Sequence, residues 1–324
     1  MLFIMPKVFV TRRIPEAGIN LLKEKGYDVE VSDFDGVLPR EQLLEKVKGA
    51  DAVLPLLTDK IDAEFFDTAG PQLKIVANYA VGYDNINVEE AKKRGLIVTN
   101  TPDVLTEAVA EHAAALMLSV ARRIVEADKF MREGKYIGWA PMLLMGREFA
   151  GKTLGLVGLG RIGAKVAEIM KNGFGMNVIY FDVRRNEALE KNIGLGYAEL
   201  EAVLKQADFI SIHVPLMEAT KHLIGTRQFG LMKPTAYLIN TSRGPVVDES
   251  ALVEALKNKI ISGAALDVFE AEPKMAPGLA ELENVIVTPH IASATEETRS
   301  AMSELAAKNI IEVLEGREAI TPIK

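Results

Sequence analysis

The sequence predicts an α/β protein made of two doubly wound, parallel-sheet domains with a cleft between them, and three observations carry that reading. From Lys7 to Val98 short β-rich runs alternate with helical patterns, and a second series of the same kind starts at Thr153. Between the first strand and the first helix of that second series stands Gly158-Leu159-Gly160-Arg161-Ile162-Gly163. The length, 324 residues, suits about two domains, each with its own core.

In chain order, the first series predicts strands over 7–10, 28–31, 52–55, 74–78 and 97–98, with helices over 15–25, 39–47, 63–69 and 88–94. A long helical pattern follows, opened by Asn100-Thr101-Pro102-Asp103 and running to about Arg132; Asp103 is a plausible N-cap and Gly134 follows the last turn. Its Ala-rich middle, 113–121, reads as a buried, closely packed helix. The second series places strands near 153–157, 177–181, 209–213, 236–239, 264–266 and 285–287. A last helix over 295–315 needs an apolar partner, and the first domain is the expected one. The expected division is thus 1–99 plus 291–324 for a discontinuous substrate domain and 100–290 for a dinucleotide-binding domain.

The glycine motif has a physical reading at each position. Gly158 permits a tight turn, Gly160 lets a pyrophosphate approach the backbone, and Gly163 lets helix and strand pack closely. Free N–H groups and the positive end of the helix dipole would hold the phosphates. Asp182 lies 19 positions past Gly163, at the end of the next strand, where a carboxylate can accept from a ribose diol.

Composition narrows the function. A net charge of −7 with no basic stripe argues against nucleic acid as a partner. With no cysteine there is no disulfide, thiolate metal site or catalytic thiol, and an intracellular, cytoplasmic address is the simplest expectation. No stretch reaches the ~18 apolar residues of a membrane span. The opening Met1-Leu2-Phe3-Ile4-Met5-Pro6 is apolar but short and lacks a basic start, so no signal peptide is expected and Met5 is a candidate true start.

Ligands of open α/β sheets bind beyond the carboxyl ends of the strands. In the second half that rule selects Arg243 after one strand, Asp267, Glu270 and Glu272 after another, and His290 after a third. An arginine, a carboxylate and a histidine beside a dinucleotide form a workable set for reducing a 2-keto acid, with no metal required. Of the other histidines, His112 reads as a packed or hydrogen-bonded mid-helix residue and His222 as structural. His213, before Val214-Pro215, reads as a backbone lining of the cofactor.

These segments, together with 76–86 and 151–158, make the chain recognisable: it resembles the D-2-hydroxyacid dehydrogenase family, in particular its glyoxylate/hydroxypyruvate reductase branch. The resemblance covers nearly the whole chain and implies reduction of glyoxylate or hydroxypyruvate with NADH, NADPH being the less favoured cofactor. It implies that Arg243 binds the substrate carboxylate and keto oxygen, that His290 protonates the nascent alkoxide, and that Glu272 orients the imidazole and favours its protonated form. Val81 and Gly82 would offer backbone N–H groups to the carboxylate, and Asp267 would hold the nicotinamide carboxamide. Around the cofactor the expected set begins with Thr106, the loop Gly158, Leu159, Gly160, Arg161, Ile162 and Gly163, and then Asp182, Val183 and Arg184. It continues through Val214, Pro215 and Thr220, then Thr241, Ser242 and Arg243, and closes with Asp267, His290, Ala292 and Ser293. The same resemblance implies a homodimer in which Trp139, on the apolar arm 136–145, walls the other subunit's substrate pocket. Departures weigh against relatives: formate dehydrogenases carry Gln where this chain has Glu272, and phosphoglycerate dehydrogenases often carry a further domain, whereas this sequence ends at Lys324. The alternatives are another D-2-hydroxyacid or phosphite dehydrogenase, or a non-enzymatic NAD-sensing corepressor; turnover of glyoxylate with NADH separates them.

Overall fold

The computed structural model describes residues 5–323, and residues 1–4, on which the reading of the chain start depends, lie outside them. In chain order the first elements are β1 (Lys7–Val10), α1 (Glu16–Glu24), β2 (Asp28–Val31), α2 (Arg40–Val47), β3 (Ala52–Leu54), α3 (Ala63–Ala69), β4 (Ile75–Ala77), α4 (Val88–Lys93) and β5 (Ile97–Thr99). The five strands form one parallel sheet in the order β2-β1-β3-β4-β5. Its central strands β1, β3 and β4 are almost wholly buried, as a sheet covered by helices on both sides requires, while the edge strand β2 carries Asp28 and Glu30. Phe9, Val53, Val76 and Val98 pack with Leu43, Phe65 and Phe66 in one core.

The next elements are α5 (Thr106–Ala121), α6 (Ile124–Arg132), β6 (Thr153–Val157), α7 (Arg161–Phe174), β7 (Asn177–Phe181), α8 (Glu187–Leu189), β8 (Gly196–Tyr197), α9 (Leu200–Gln206), β9 (Phe209–Ile212), α10 (Thr226–Phe229), β10 (Tyr237–Asn240), α11 (Glu249–Lys257), β11 (Gly263–Leu266) and β12 (Val285–Val287). The seven strands run parallel in the order β12-β11-β10-β9-β6-β7-β8. Strand order reverses between β6 and β9, which is the switch point where a doubly wound sheet opens its ligand crevice. Strand alternation divides the core: Phe209 and Ile239 join Met117, Val166 and Met170 on one face, while Ile210, Ile212 and Leu238 join Leu204, Leu252 and Leu256 on the other. The short edge strand β8 was not read from the sequence, because Gly196-Tyr197 is too brief to show a period.

The last helix, α12 (Glu296–Leu314), packs on α1 and on the β3–β5 side of the first sheet, as expected. Ser303 fixes the crossing: its hydroxyl accepts from the Gly18 N–H at 3.0 Å and donates to the Pro15 carbonyl at 2.7 Å.

Two expectations are corrected. The helix expected from Asp103 to Arg132 is two helices, α5 and α6. The Arg147 N–H takes the Ala121 carbonyl at 2.9 Å, so that carbonyl is lost to the helix, and Arg123 turns left-handed with φ 55°. Asp103 takes φ 68°, and α5 starts at Thr106. The compact units also divide a few residues from the expected borders, with residues up to Leu105 and from Ser293 on in one unit and Thr106–Ala292 in the other. Hydrogen bonds account for the shift. The Thr101 N–H donates to Ala80 O (2.9 Å) and Asn100 Nδ2 to Val81 O (2.7 Å), which keeps this stretch with the first sheet. The Ile291 and Ala292 N–H groups both donate to Asp267, at 2.8 and 2.7 Å, which keeps them with the second.

Candidate active site

The glycine loop adopts the geometry its sequence implies. Gly158 has φ 98°, a conformation that L side chains rarely take, and a Cβ on Gly163 would lie 2.4 Å from the Gly158 carbonyl oxygen. Above Gly160 there is open space, since a Cβ there meets nothing within 4 Å. Helix α7 starts with no side-chain cap and no acidic residue in its first turn, which suits an anion at its positive dipole end. Asp182 faces this loop: Oδ2 accepts from the Leu159 N–H at 2.7 Å and Oδ1 from the Arg184 N–H at 3.0 Å. Val183 beside it is 88% exposed. Arg185 is drawn away, paired with Glu190 and stacked over the Tyr197 ring. Arg161 is exposed at the start of α7 and Ile162 packs against the core behind it.

Thr106 is the first residue of α5, and the other cofactor candidates of this unit stand at the carboxyl ends of β9 to β12. Past β9, His213 shares a hydrogen bond with buried Ser211 (2.9 Å), and burial pushes its pKa down to about 4, so the imidazole is neutral at ordinary pH. Val214 and Pro215 follow, and Thr220 Oγ1 donates to the Pro215 carbonyl at 2.7 Å. Past β10, Asn240 staples the turn that presents Arg243: its Oδ1 accepts from Ser242 N–H and Oγ–H, and its Nδ2 donates to the Arg243 carbonyl at 2.9 Å. Thr241 Oγ1 is buried there without a hydrogen-bond partner. Open space over Gly160, an uncapped helix start and this orphan hydroxyl fit the dinucleotide that the motif implies.

Past β11 and β12, Glu272 and His290 meet. His290 Nδ1 lies 3.0 Å from Glu272 Oε2, while Glu272 Oε1 accepts from the Phe269 N–H at 3.1 Å. Burial alone would raise the Glu272 pKa, but the hydrogen bond and charge of His290, the Phe269 N–H and the Arg243 charge outweigh it and hold the carboxyl below the usual range. His290 takes φ 55°, held by its own N–H to the Thr288 carbonyl and by the anchored N–H groups of the next two residues. Arg243 Nη1 donates to the Ser242 carbonyl at 2.8 Å. Its neighbour Gly244 is pressed on the Glu272 loop, since a Cβ there would come within 1.9 Å of the Phe269 carbonyl carbon.

Asp267, the residue that the resemblance assigns to the nicotinamide carboxamide, anchors the His290 loop. It is 0% exposed, and Thr288 Oγ1 (2.6 Å) together with the Ile291 and Ala292 N–H groups fill its oxygens. Burial would raise its pKa, but these donors and His112 keep it lowered. Its visible role is to fasten the His290 loop. His112 Nε2 lies 3.3 Å from Thr288 Oγ1, in keeping with its reading as a hydrogen-bonded mid-helix residue, and His222 Nε2 lies 2.6 Å from Glu270 Oε1.

Val81, Gly82 and Ser293 fall in the first unit. The loop of Val81 and Gly82 past β4 is held by two amides, buried Asn78 and partly buried Asn85: Asn78 Nδ2 donates to the Gly82 carbonyl at 2.8 Å and pairs with Asn85, whose Nδ2 also reaches Leu56 O and Asp59 O at 3.2 Å. Sequence reasoning missed this pair and Asn240; an Asn at the end of a buried strand, ahead of a turn, is the signal that could have found Asn78 and Asn240. Trp139 lies on a segment without helix or strand, 82% exposed, beside Ile137 (100%) and Met142 (71%).

A switch-point glycine loop, an acid at the next strand end and a histidine–glutamate pair beside an arginine define a dinucleotide-dependent α/β oxidoreductase. Residues 114–292 match the family described as D-isomer specific 2-hydroxyacid dehydrogenase, NAD binding domain, and the chain belongs to that family of NAD-dependent oxidoreductases. Over 315 residues it is 54% identical to the glyoxylate reductase of Thermococcus litoralis, with 96% of this chain and 94% of that one covered. Among solved structures it is similar to a Thermus thermophilus protein (TM-score 0.92, 43% identity, 98% of this chain and 100% of that one). It is also similar to the NADPH-dependent glyoxylate/hydroxypyruvate reductase of Sinorhizobium meliloti, solved with NADP and malonate (TM-score 0.83, 34% identity, 98% and 96%).

Proposed function

We propose that this enzyme reduces glyoxylate, and hydroxypyruvate beside it, to the 2-hydroxy acid with NADH. The observation that carries the reading is the His290–Glu272 pair, 3.0 Å apart at neighbouring strand ends and close enough to Arg243 for its charge to act on Glu272. When bound, NADH supplies the hydride. Arg243 binds the carboxylate and polarises the keto group with a planar fork of N–H donors. With Nδ1 engaged by Glu272, His290 presents Nε2, which gives its proton to the carbonyl oxygen as the alkoxide forms. Val81 and Gly82 offer their N–H groups to the carboxylate. The test is a panel of glyoxylate, hydroxypyruvate, pyruvate and phosphite with NADH and NADPH. Turnover of glyoxylate with NADH is the expected result, and turnover of phosphite or pyruvate alone would overturn the reading.

NADH is the cofactor of choice because Asp182 accepts from a ribose diol and repels a 2′-phosphate, while Arg185 is engaged by Glu190. The expected preference in kcat/KM is about tenfold or more. Comparable values for the two cofactors would refute it, and Asp182→Ala is expected to narrow the gap.

The exposed arm fits a homodimer, with Trp139 of one subunit walling the substrate site of the other. An apolar, aromatic surface of this kind is costly to leave in water, and interfaces are enriched in Trp and Met. Trp139→Ala is then expected to raise KM for the keto acid several-fold while KM for NADH changes little. Sedimentation of an active monomer at assay concentration would sink the proposal. A cytoplasmic address goes with this use of NADH; among the described residues no helix is long and apolar enough to cross a membrane.

A further inference from the structure

Helix α11 begins a few residues past Arg243, and its first residue, Glu249, is only 3% exposed. Its carboxylate reaches both flanks of the loop that carries Glu272: one oxygen accepts from the Glu270 N–H in a very short bond, and the other accepts from the Ala276 N–H at 2.9 Å. The contact is returned, since the Glu249 N–H donates to Glu270 Oε2 at 3.3 Å, and Glu270 Oε1 lies 2.6 Å from His222 Nε2. Glu272 stands inside the clamped span. Helix capping does not account for Glu249, because Asp248 already caps α11 through the Ala251 N–H at 2.9 Å. Nor does salt pairing, since both carboxylate oxygens are spent on loop N–H groups. A buried carboxylate is costly and persists here because each oxygen is met by a donor.

We propose that Glu249 is a positioning residue for the reaction: by clamping residues 270–276 on both sides, it holds the Glu272 carboxylate where it meets His290 Nδ1. The proposal rests on the roles given above to Glu272 and His290. In Glu249→Gln one oxygen becomes an NH₂ that faces a backbone N–H, so one flank of the loop is released. Small displacements of this kind weigh heavily in catalysis, since a misplacement of about 1 Å can cost on the order of 100-fold in rate.

The test is a double-mutant cycle on the full-length enzyme, with Glu249→Gln, Glu272→Gln and the pair. Glu249→Gln is expected to lower kcat for glyoxylate about tenfold, with KM for NADH within about twofold. On the Glu272→Gln background the same change should cost less than about twofold, because its effect passes through Glu272. A full tenfold loss on that background would overturn the proposal, as a merely structural role is additive. A second reading needs no turnover: in protein labelled with [15N]histidine, the His290 Nδ1–H resonance, identified by its loss in His290→Ala, should be sharp and downfield in the parent. It should broaden or vanish in both Glu249→Gln and Glu272→Gln, and an unchanged resonance in Glu249→Gln would overturn the clamp. If the parent does not turn over glyoxylate, the functional reading falls while this resonance still decides the clamp. Glu249→Asp keeps the charge but shortens the reach, so it serves as the second variant if the amide prevents folding, with the same non-additivity expected.

Discussion

Replacing His290 with alanine is expected to lower turnover by roughly 10²–10⁴-fold, the usual contribution of a positioned proton donor, while NADH binding stays nearly intact. The fold explains why the loss should be confined to chemistry. Thr288, Ile291 and Ala292 fasten the loop to buried Asp267 through their own donors, so the imidazole can be removed without releasing the backbone. The glycine loop and Asp182 lie on other strand ends. His213 cannot replace the lost acid, because burial holds it neutral with a pKa of about 4. Titration of NADH and steady-state kinetics read the two effects separately, and turnover within a few-fold of the parent would move the acid elsewhere. The pH sign follows from Glu272. Its folded pKa is lowered, so the ionised form that contacts His290 is fully present above the ordinary glutamate range and is lost only as pH falls through the lowered value. Loss of the pair's contribution at or above the ordinary value, about 4.3, would count against that assignment.

Gly244→Ala is expected to damage both stability and activity. The new methyl would lie 1.9 Å from the carbonyl carbon and oxygen of Phe269 and 2.4 Å from the Glu270 nitrogen, all of them backbone atoms with no flexible end to yield. Either the Arg243 turn or the Glu272 loop must move. Overpacking of this kind costs about 1–3 kcal/mol, and occasionally more. The accompanying loss in kcat/KM should approach 100-fold, because the arginine and the carboxylate no longer keep their spacing. Gly160→Ala is the contrast: its methyl meets nothing within 4 Å, so it should melt like the parent and lose affinity for NADH instead. Parent-like kcat/KM in Gly244→Ala would show that the two loops move independently, against the close packing described here.

Much of this protein is legible in its sequence because it is written locally. The alternation of apolar strands and helices, the 158–163 loop and the acid at Asp182 each depend on neighbours in the chain, so both parallel sheets could be read before the structure. Arg243, His290 and the carboxylates Asp267, Glu270 and Glu272 could be nominated because the ends of parallel strands share one edge of a sheet whatever their distance in sequence, and the family resemblance then singled out Glu272. Tertiary structure alone decided where the long helix breaks, since Arg147 takes the carbonyl of Ala121 from 26 positions away. It likewise decided that Asp267 anchors the His290 loop, and that the carboxylate of Glu249 closes on Glu270 and Ala276. Such contacts join residues that no period or spacing connects. They form because a buried carboxylate or carbonyl must find donors wherever packing brings them, and only the folded chain determines which donors those are.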